Sequence, residues 1–293
     1  MKNDFPQNRR LFLQTGTLAA AGWLAGKSLL SSGSALAADR TDTAPDAGDG
    51  KRPLKLALAS YTLRKFSLEE TLAMTRRVGL TAICLKSFHL PLDASEKQIA
   101  ETRQKVAQAG LTLYGGGVIV LRNREQIDQA FDYAKSAGMK RIIGAPTVET
   151  LPLINEKIQQ YDIEVAIHNH GPGDKHFPTP DVAYEKIKKF DPRFGLCHDV
   201  GHTVRYGKDP VAITEKCADR MLDVHMKDVT SATRKGRATP CGRGVVDIPT
   251  LLRALIKTGY KGYLAFEYES DPNDPLPGLA ESVGYVRGVL DTL

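Results

Sequence analysis

The chain has 293 residues, 42% hydrophobic and 25% charged, with a formal net charge of +6 and four cysteines. Cys84, Cys197, Cys217 and Cys241 show no CxxC spacing, which argues against a cysteine metal knot. The modest positive charge, reduced further by processing, argues against nucleic acid as a partner.

The first feature along the chain is Arg9-Arg10 ahead of Leu11-Phe12-Leu13. An Ala- and Gly-rich apolar run from Gly16 to Leu30 and the stretch SSGSALAAD follow. Ala35-Leu36-Ala37 has the small-x-small pattern that a signal peptidase cuts after. Residues 1–37 resemble a twin-arginine (Tat) export signal, which implies a periplasmic protein. The Tat translocase and the membrane are then partners only during export. An uncleaved anchor is the alternative, but the run is about 15 residues with Lys27 inside it, short of the roughly 20 that a span needs. Cleavage removes Lys2, Arg9, Arg10, Lys27 and Asp4, lowering the net charge from +6 to +3. Residues 38–53, polar and rich in Asp, Thr, Gly and Pro, read as a flexible leader to a single domain over 54–293. The twin-arginine route carries proteins folded in a reducing cytoplasm, so the cysteines are expected as small buried residues rather than disulfides.

Eight apolar runs then read as strands: 54–60, 82–86, 111–120, 141–146, 163–170, 194–200, 221–229 and 263–269. Helical patterns at 67–79, 94–110 and 123–138 each end on a glycine (Gly79, Gly110, Gly138) suited to a left-handed C-cap. The first opens with Ser67 and Glu70 at capping-box spacing. Later helices at 179–190, 209–219 and 247–259 carry Pro or Asp in the first turn. Strands alternating with helices imply a parallel sheet, and eight units in about 250 residues match a closed (β/α)8 TIM barrel. A doubly wound open sheet is the alternative. No GxGxxG follows the first strand, and polar residues mark several strand ends rather than one switch point, which favours the barrel. Gly115-Gly116-Gly117 reads as a place where a strand bends or a ligand approaches closely.

The last four strands end in metal-capable residues. The fifth carries His168 and His170, which alternation turns to one face; the sixth gives Asp199, with His202 just beyond. The seventh gives His225, Lys227 and Asp228, and the eighth Glu267 and Glu269. Neighbouring strands of a barrel bring these to one rim, where barrel sites sit. One residue per strand, His168, Asp199, His225 and Glu267, supplies the imidazole and carboxylate donors that suit a divalent transition metal.

On these residues the chain resembles, over 54–293, the xylose-isomerase-like barrel family of sugar isomerases and epimerases. The resemblance rests on HNHG (168–171), DVGH (199–202), HMKD (225–228) and GYKGYLAFE (259–267). CGRGVVDI (241–248) is similar to the family's Gly-x-Gly-x-x-Asp loop. It implies one divalent ion, Mn2+ or Zn2+ foremost and Co2+, Fe2+ or Mg2+ otherwise, held by Glu, Asp, His and Glu from strands five to eight. Asp199, His225 and Glu267 match; His168 stands where the family has Glu. In the epimerases the two metal-bound glutamates serve as acid and base on opposite faces of an enediolate, and imidazole weakens that symmetry. Glu267 is then the leading base, with Lys227, His170 or His168 beside it. Lys86, where many relatives carry Glu, either stabilises an enolate oxygen or acts as a base, or is a solvated rim lysine. His202, His89, Arg243 and Glu269 are the candidate substrate contacts. His176 and His198 read as structural, the latter because alternation turns it away from the interior.

The expected activity is an exported, metal-dependent isomerisation or epimerisation of a sugar or keto-sugar through a metal-bound enediolate. A lyase or dehydratase on a keto-sugar or keto-glycoside is the alternative, with a non-catalytic periplasmic sugar-binding protein behind it. The related abasic-site endonuclease barrel needs carboxylates on earlier strands that this chain lacks. Phosphorylated sugars are disfavoured because no phosphate-binding glycine loop precedes a late helix.

Overall fold

The computed structural model describes residues 52–293, so the export signal and the leader up to residue 51 lie outside the described residues. Eight parallel strands close into a barrel: β1 (Lys55–Ala59), β2 (Ala82–Leu85), β3 (Thr112–Leu121), β4 (Arg141–Pro146), β5 (Glu164–His168), β6 (Phe194–Asp199), β7 (Met221–Met226) and β8 (Tyr263–Phe266). Each pairs with its sequence neighbours, and β8 returns to β1 with Tyr263 opposite Lys55. The fold is the expected TIM barrel.

Local sequence explains the helices. Ser67 and Glu70 form the reciprocal capping box at the start of Leu68–Arg77. Gly79, Gly110 and Gly138 adopt positive φ after the first three helices, as the C-cap reading requires. Leu151–Tyr161 and Leu276–Leu290, not read from the sequence, also cover the barrel, and a short helix, Val200–Arg205, follows β6 directly. The four cysteines are free and buried, as expected.

Alternation along each strand separates two environments. Outward residues such as Leu58, Ile142, Val165, Leu196, Val224 and Phe266 pack with helix residues such as Phe131, Ile154 and Leu251 in the main core. Apart from Ile143 and the tyrosines of the floor, inward residues are small: Ala57, Ala59, Ala82, Cys84, Ala166, Cys197 and Ala265. Beneath them the floor is polar and aromatic. Arg141 pairs with Glu164 at 2.6 Å and Asp223 at 3.4 Å, and Tyr114 stacks on Tyr263 with centroids 4.1 Å apart. The glycine run of β3 serves close packing: a Cβ on Gly115 would lie 2.9 Å from the Arg141 carbonyl oxygen.

Three strands end two or three residues before their sequence pattern does. β5 stops at His168, β7 at Met226 and β8 at Phe266. Beyond β7 the chain is diverted into a two-residue pairing of Asp228–Val229 with Ala238–Thr239. Asp228 causes this: Oδ2 accepts from the backbone N–H of Gly242 and Gly244 (both 2.9 Å), and Oδ1 from Val229 (2.8 Å). The CGRG loop is thereby wrapped around one carboxylate.

Burial raises the Asp223 carboxyl even with Arg141 beside it. Arg141→Met is therefore expected to leave an uncompensated buried acid and cost about 3–5 kcal/mol. Urea unfolding of variant and parent measures this; an unchanged midpoint would contradict it.

Candidate metal centre

Register brings four donors together. Asp199 lies opposite His225 across β6 and β7, and His225 lies opposite Ala265 on β8. Glu267, two residues past Ala265, and His168, two before the inward position level with Asp199, keep the same inward parity. All four are buried, and one ligand atom from each lies within 4.8 Å of the others. His168 Nε2 is 3.1 Å from His225 Nδ1, 3.6 Å from Asp199 Oδ2 and 3.9 Å from Glu267 Oε2, and His225 Nδ1 is 3.3 Å from Glu267 Oε2.

These separations surround the roughly 3.3–3.6 Å expected between tetrahedral donors about 2.0–2.2 Å from a zinc-like ion. Asp199 Oδ2 accepts no well-aligned hydrogen bond among the described residues, although it is fully buried. Its one close cation is the Lys227 ammonium at 2.9 Å, which Glu267 and Glu269 share. The donor set therefore fits a divalent ion.

Lys227 completes the cluster. Its buried ammonium lies 2.9 Å from Asp199 Oδ2, 2.8 Å from Glu267 Oε2 and 3.0 Å from Glu269 Oε1. Gly201 of DVGH makes room for its stem, since a Cβ there would sit 2.7 Å from Lys227 Cγ. Three carboxylates against one ammonium leave two excess negative charges among imidazoles, the charge a divalent ion cancels.

The titration behaviour follows from this arrangement. Burial opposes the ammonium of Lys227, but Asp199, Glu267 and Glu269 outweigh it and hold its pKa well above the usual lysine value. Burial also opposes ionised Glu267, yet Lys227 and His225 keep that carboxyl well below its ordinary range. Burial pushes His168 down to about 3. His225 is raised, because adjacent Glu267 overcomes the effect of burial. Burial raises Glu269, and neighbouring Glu267 and Asp199 add to this against Lys227.

A cavity of about 200 Å3 opens above the cluster, lined by Tyr61, Lys86, Val118, His168, His170, His202, Glu267 and Glu269. His170 lies beyond the end of β5, yet its ring is 4.6 Å from that of His168, and Nδ1 faces Asp174 Oδ2 at 3.3 Å. His202 Nδ1 accepts from Arg205 at 3.2 Å. Lys86 reaches the cavity while its Nζ donates to the Val118 carbonyl.

Two candidates are not brought here. His89 is enclosed by Ser60 Oγ (2.9 Å), Thr71 Oγ1 (3.0 Å) and the Phe66 carbonyl, where it fastens the loop after β2. Arg243 points to the surface and pairs with Glu281. His198 turns outward to Thr203 Oγ1 (3.0 Å) and Thr214 Oγ1 (3.3 Å), as alternation implies. Tyr61, Asn169 and Asp174 were not singled out from sequence. The Asn169 side chain accepts from Asp199 N–H (2.8 Å) and donates to the Asp199 carbonyl (3.2 Å), fixing β5 to β6 at the donor level. Alternation states only that the middle residue of HNH turns from the interior; its reach to β6 shows only in the fold.

Comparison with known proteins places these observations. The family model described as xylose isomerase-like TIM barrel matches residues 72–289. The rhizopine catabolism protein MocC of Rhizobium meliloti is 32% identical over 145 residues, 44% of this chain and 44% of that protein. An inosose dehydratase of Lacticaseibacillus casei is 26% identical over 139 residues, 42% of this chain and 46% of the enzyme. These matches span less than half the length of the curated relatives. Among solved structures, L-ribulose 3-epimerase aligns with a TM-score of 0.67 at 18% identity, over 82% of this chain and 95% of that one. The IOLI protein with a bound zinc atom aligns with a TM-score of 0.66 at 18% identity, over 82% of this chain and 99% of that one. At these identities the structural likeness speaks to the fold.

Burial lowers His168 to about 3 and His198 and His202 to about 4, against an ordinary value near 6.5. Neutral imidazole is favoured in the fold, so this contribution is complete above pH ~6.5 and shrinks as pH falls toward 4. His225, raised, opposes in sign and offsets part of the change. Thermal unfolding of the metal-free protein should show a midpoint that falls between pH 6.5 and 4; a midpoint that rises over that window would contradict this.

Proposed function

The chain belongs to the xylose isomerase-like TIM barrel family, and on that premise we propose that it is a divalent-metal-dependent lyase or dehydratase acting on a keto-sugar. One observation carries the reading: four buried donors converge within 4.8 Å of one another beneath a cavity wall that still holds a further carboxylate and two imidazoles. His168, Asp199, His225 and Glu267 would hold the ion. When bound, it supplies Lewis acidity, polarising a carbonyl and acidifying the adjacent C–H.

The remaining roles belong to the chain's own side chains. Glu269 lies outside the four-donor set and faces the cavity, so it is the carboxylate free to accept a proton. Lys227 is not suited to be a base, because an ammonium among three carboxylates keeps its proton. It instead orients Glu267 and Glu269. His170, steered through Nδ1 by Asp174, can deliver a proton from Nε2 to a departing oxygen. Lys86 puts a positive charge at the wall, where negative charge develops on substrate. The imidazole of His168 removes one carboxylate from the symmetric acid–base pair that epimerisation uses, and curated relatives named inosose dehydratase agree with elimination.

Isomerisation or epimerisation is the second reading. It is favoured by Glu269 and His170 both lining one cavity, where a proton taken by one can be returned by the other. We also propose that the protein is exported to the periplasm, a reading that rests on Arg9-Arg10 and Ala35-Leu36-Ala37.

Product mass over a panel of keto-sugars separates the two chemistries: elimination loses water, whereas isomerisation conserves mass. Glu269→Gln is expected to lower kcat by roughly a hundredfold or more while metal content is unchanged. Full activity in both Glu269→Gln and Asp199→Ala would overturn the proposal.

A further inference from the structure

Two cavities meet at the metal centre. The smaller, about 200 Å3, falls below the roughly 300–1,000 Å3 of ordinary small-molecule sites, so it has room for about one sugar ring. The larger, about 650 Å3, shares Lys86, Val118, His168 and His170 with it and extends over the C-terminal ends of β3 and β4 and the loop after β5. A lone ring at the metal centre leaves this larger space without use.

Its charges are one-sided. Lys86, Arg122 and Lys175 line it, and Asp174 is the single carboxylate in its wall. Asp174 is already engaged: Oδ1 accepts from the N–H of His176 (2.8 Å) and Phe177 (3.1 Å), and Oδ2 faces His170. Among the described residues Arg122 and Lys175 make no ion pair. Lys86 donates to a carbonyl and shares the smaller cavity with Glu267 and Glu269, so the unpaired charge of the larger one rests on Arg122 and Lys175. Glu149, the other acid near His176, is bonded to Thr147 and lies outside the lining. Val118, Val120 and Pro146 supply apolar surface beside these cations.

We infer that the substrate is a two-part molecule: a sugar ring at the metal centre, joined to a second unit that carries an anionic oxygen group and lies against Arg122 and Lys175. The ring's placement rests on the function proposed above; the second unit rests on the larger cavity and its unpaired cations. A carboxylate and a phosphate present the same chemistry to these side chains.

Calorimetric titration of the manganese-loaded protein with glucose, cellobiose, cellobiouronic acid and cellobiose 6′-phosphate tests this, with bound manganese measured on the same samples. Both charged disaccharides are expected to bind at least tenfold more tightly than cellobiose, and cellobiose more tightly than glucose. The tighter of the two identifies the anion. In an Arg122→Ala/Lys175→Ala variant the charge preference should vanish while manganese stays bound. Equal binding of charged and neutral disaccharides, a preference that survives in the variant, or binding of cellobiose no tighter than glucose overturns the inference. Absence of bound manganese would instead count against the metal-centre reading, so the two failures are told apart.

Discussion

Everything at the mouth of this barrel answers to one electrostatic constraint: two buried carboxylates, a half-buried third and one buried ammonium crowd against two imidazoles. Asp199, Glu267 and Glu269 each lie within 3.0 Å of Lys227. Charges out of water are tolerated only when paired and hydrogen-bonded, and one ammonium cannot balance three acids. Within the cluster, Glu267 raises His225 against the effect of burial, and burial raises Glu269. A divalent ion answers the charge imbalance more completely. Asp199 Oδ2, approached at 2.9 Å by an ammonium that also serves Glu267 and Glu269, is one of the donors that would hold it.

The barrel exists in a form that makes this cluster possible. Small inward residues, Ala57, Ala166, Cys197 and Ala265 among them, fill the middle without lifting bulk into the site. Arg141 and the stacked tyrosines close the floor, so the charged rim rests on packed material. Above, Asn169 bolts β5 to β6 at the level of Asp199, and Gly201 clears a path for Lys227. Asp228, next to Lys227 in sequence, is spent on holding the CGRG loop and is unavailable to the cluster.

Much of this was legible in the residues. Eight apolar runs separated by helical patterns with glycine stops defined the barrel. Parity along the last four strands picked His168, Asp199, His225 and Glu267, because period-two alternation states which way a side chain points. Parity does not state how far a side chain reaches. That is why Lys227, one residue past the end of β7, read as a possible base when its place among three acids makes it a fixed cation. Loop residues carried even less signal. His89 and Arg243 looked equivalent to His202 in sequence, yet only His202 reaches the cavity. Asp174 gains its meaning solely from the turn that folds it back onto His170.

The most direct measurement is the metal content of the purified protein by elemental mass spectrometry, before and after loading with Mn2+, Zn2+, Co2+, Fe2+ and Mg2+, beside an Asp199→Ala variant. About one equivalent per chain is expected in the parent and little in the variant, since the variant removes a donor and half of the excess negative charge. A parent that takes up no metal under any loading, or a variant that binds as much as the parent, would contradict the assignment of this cluster as a metal centre.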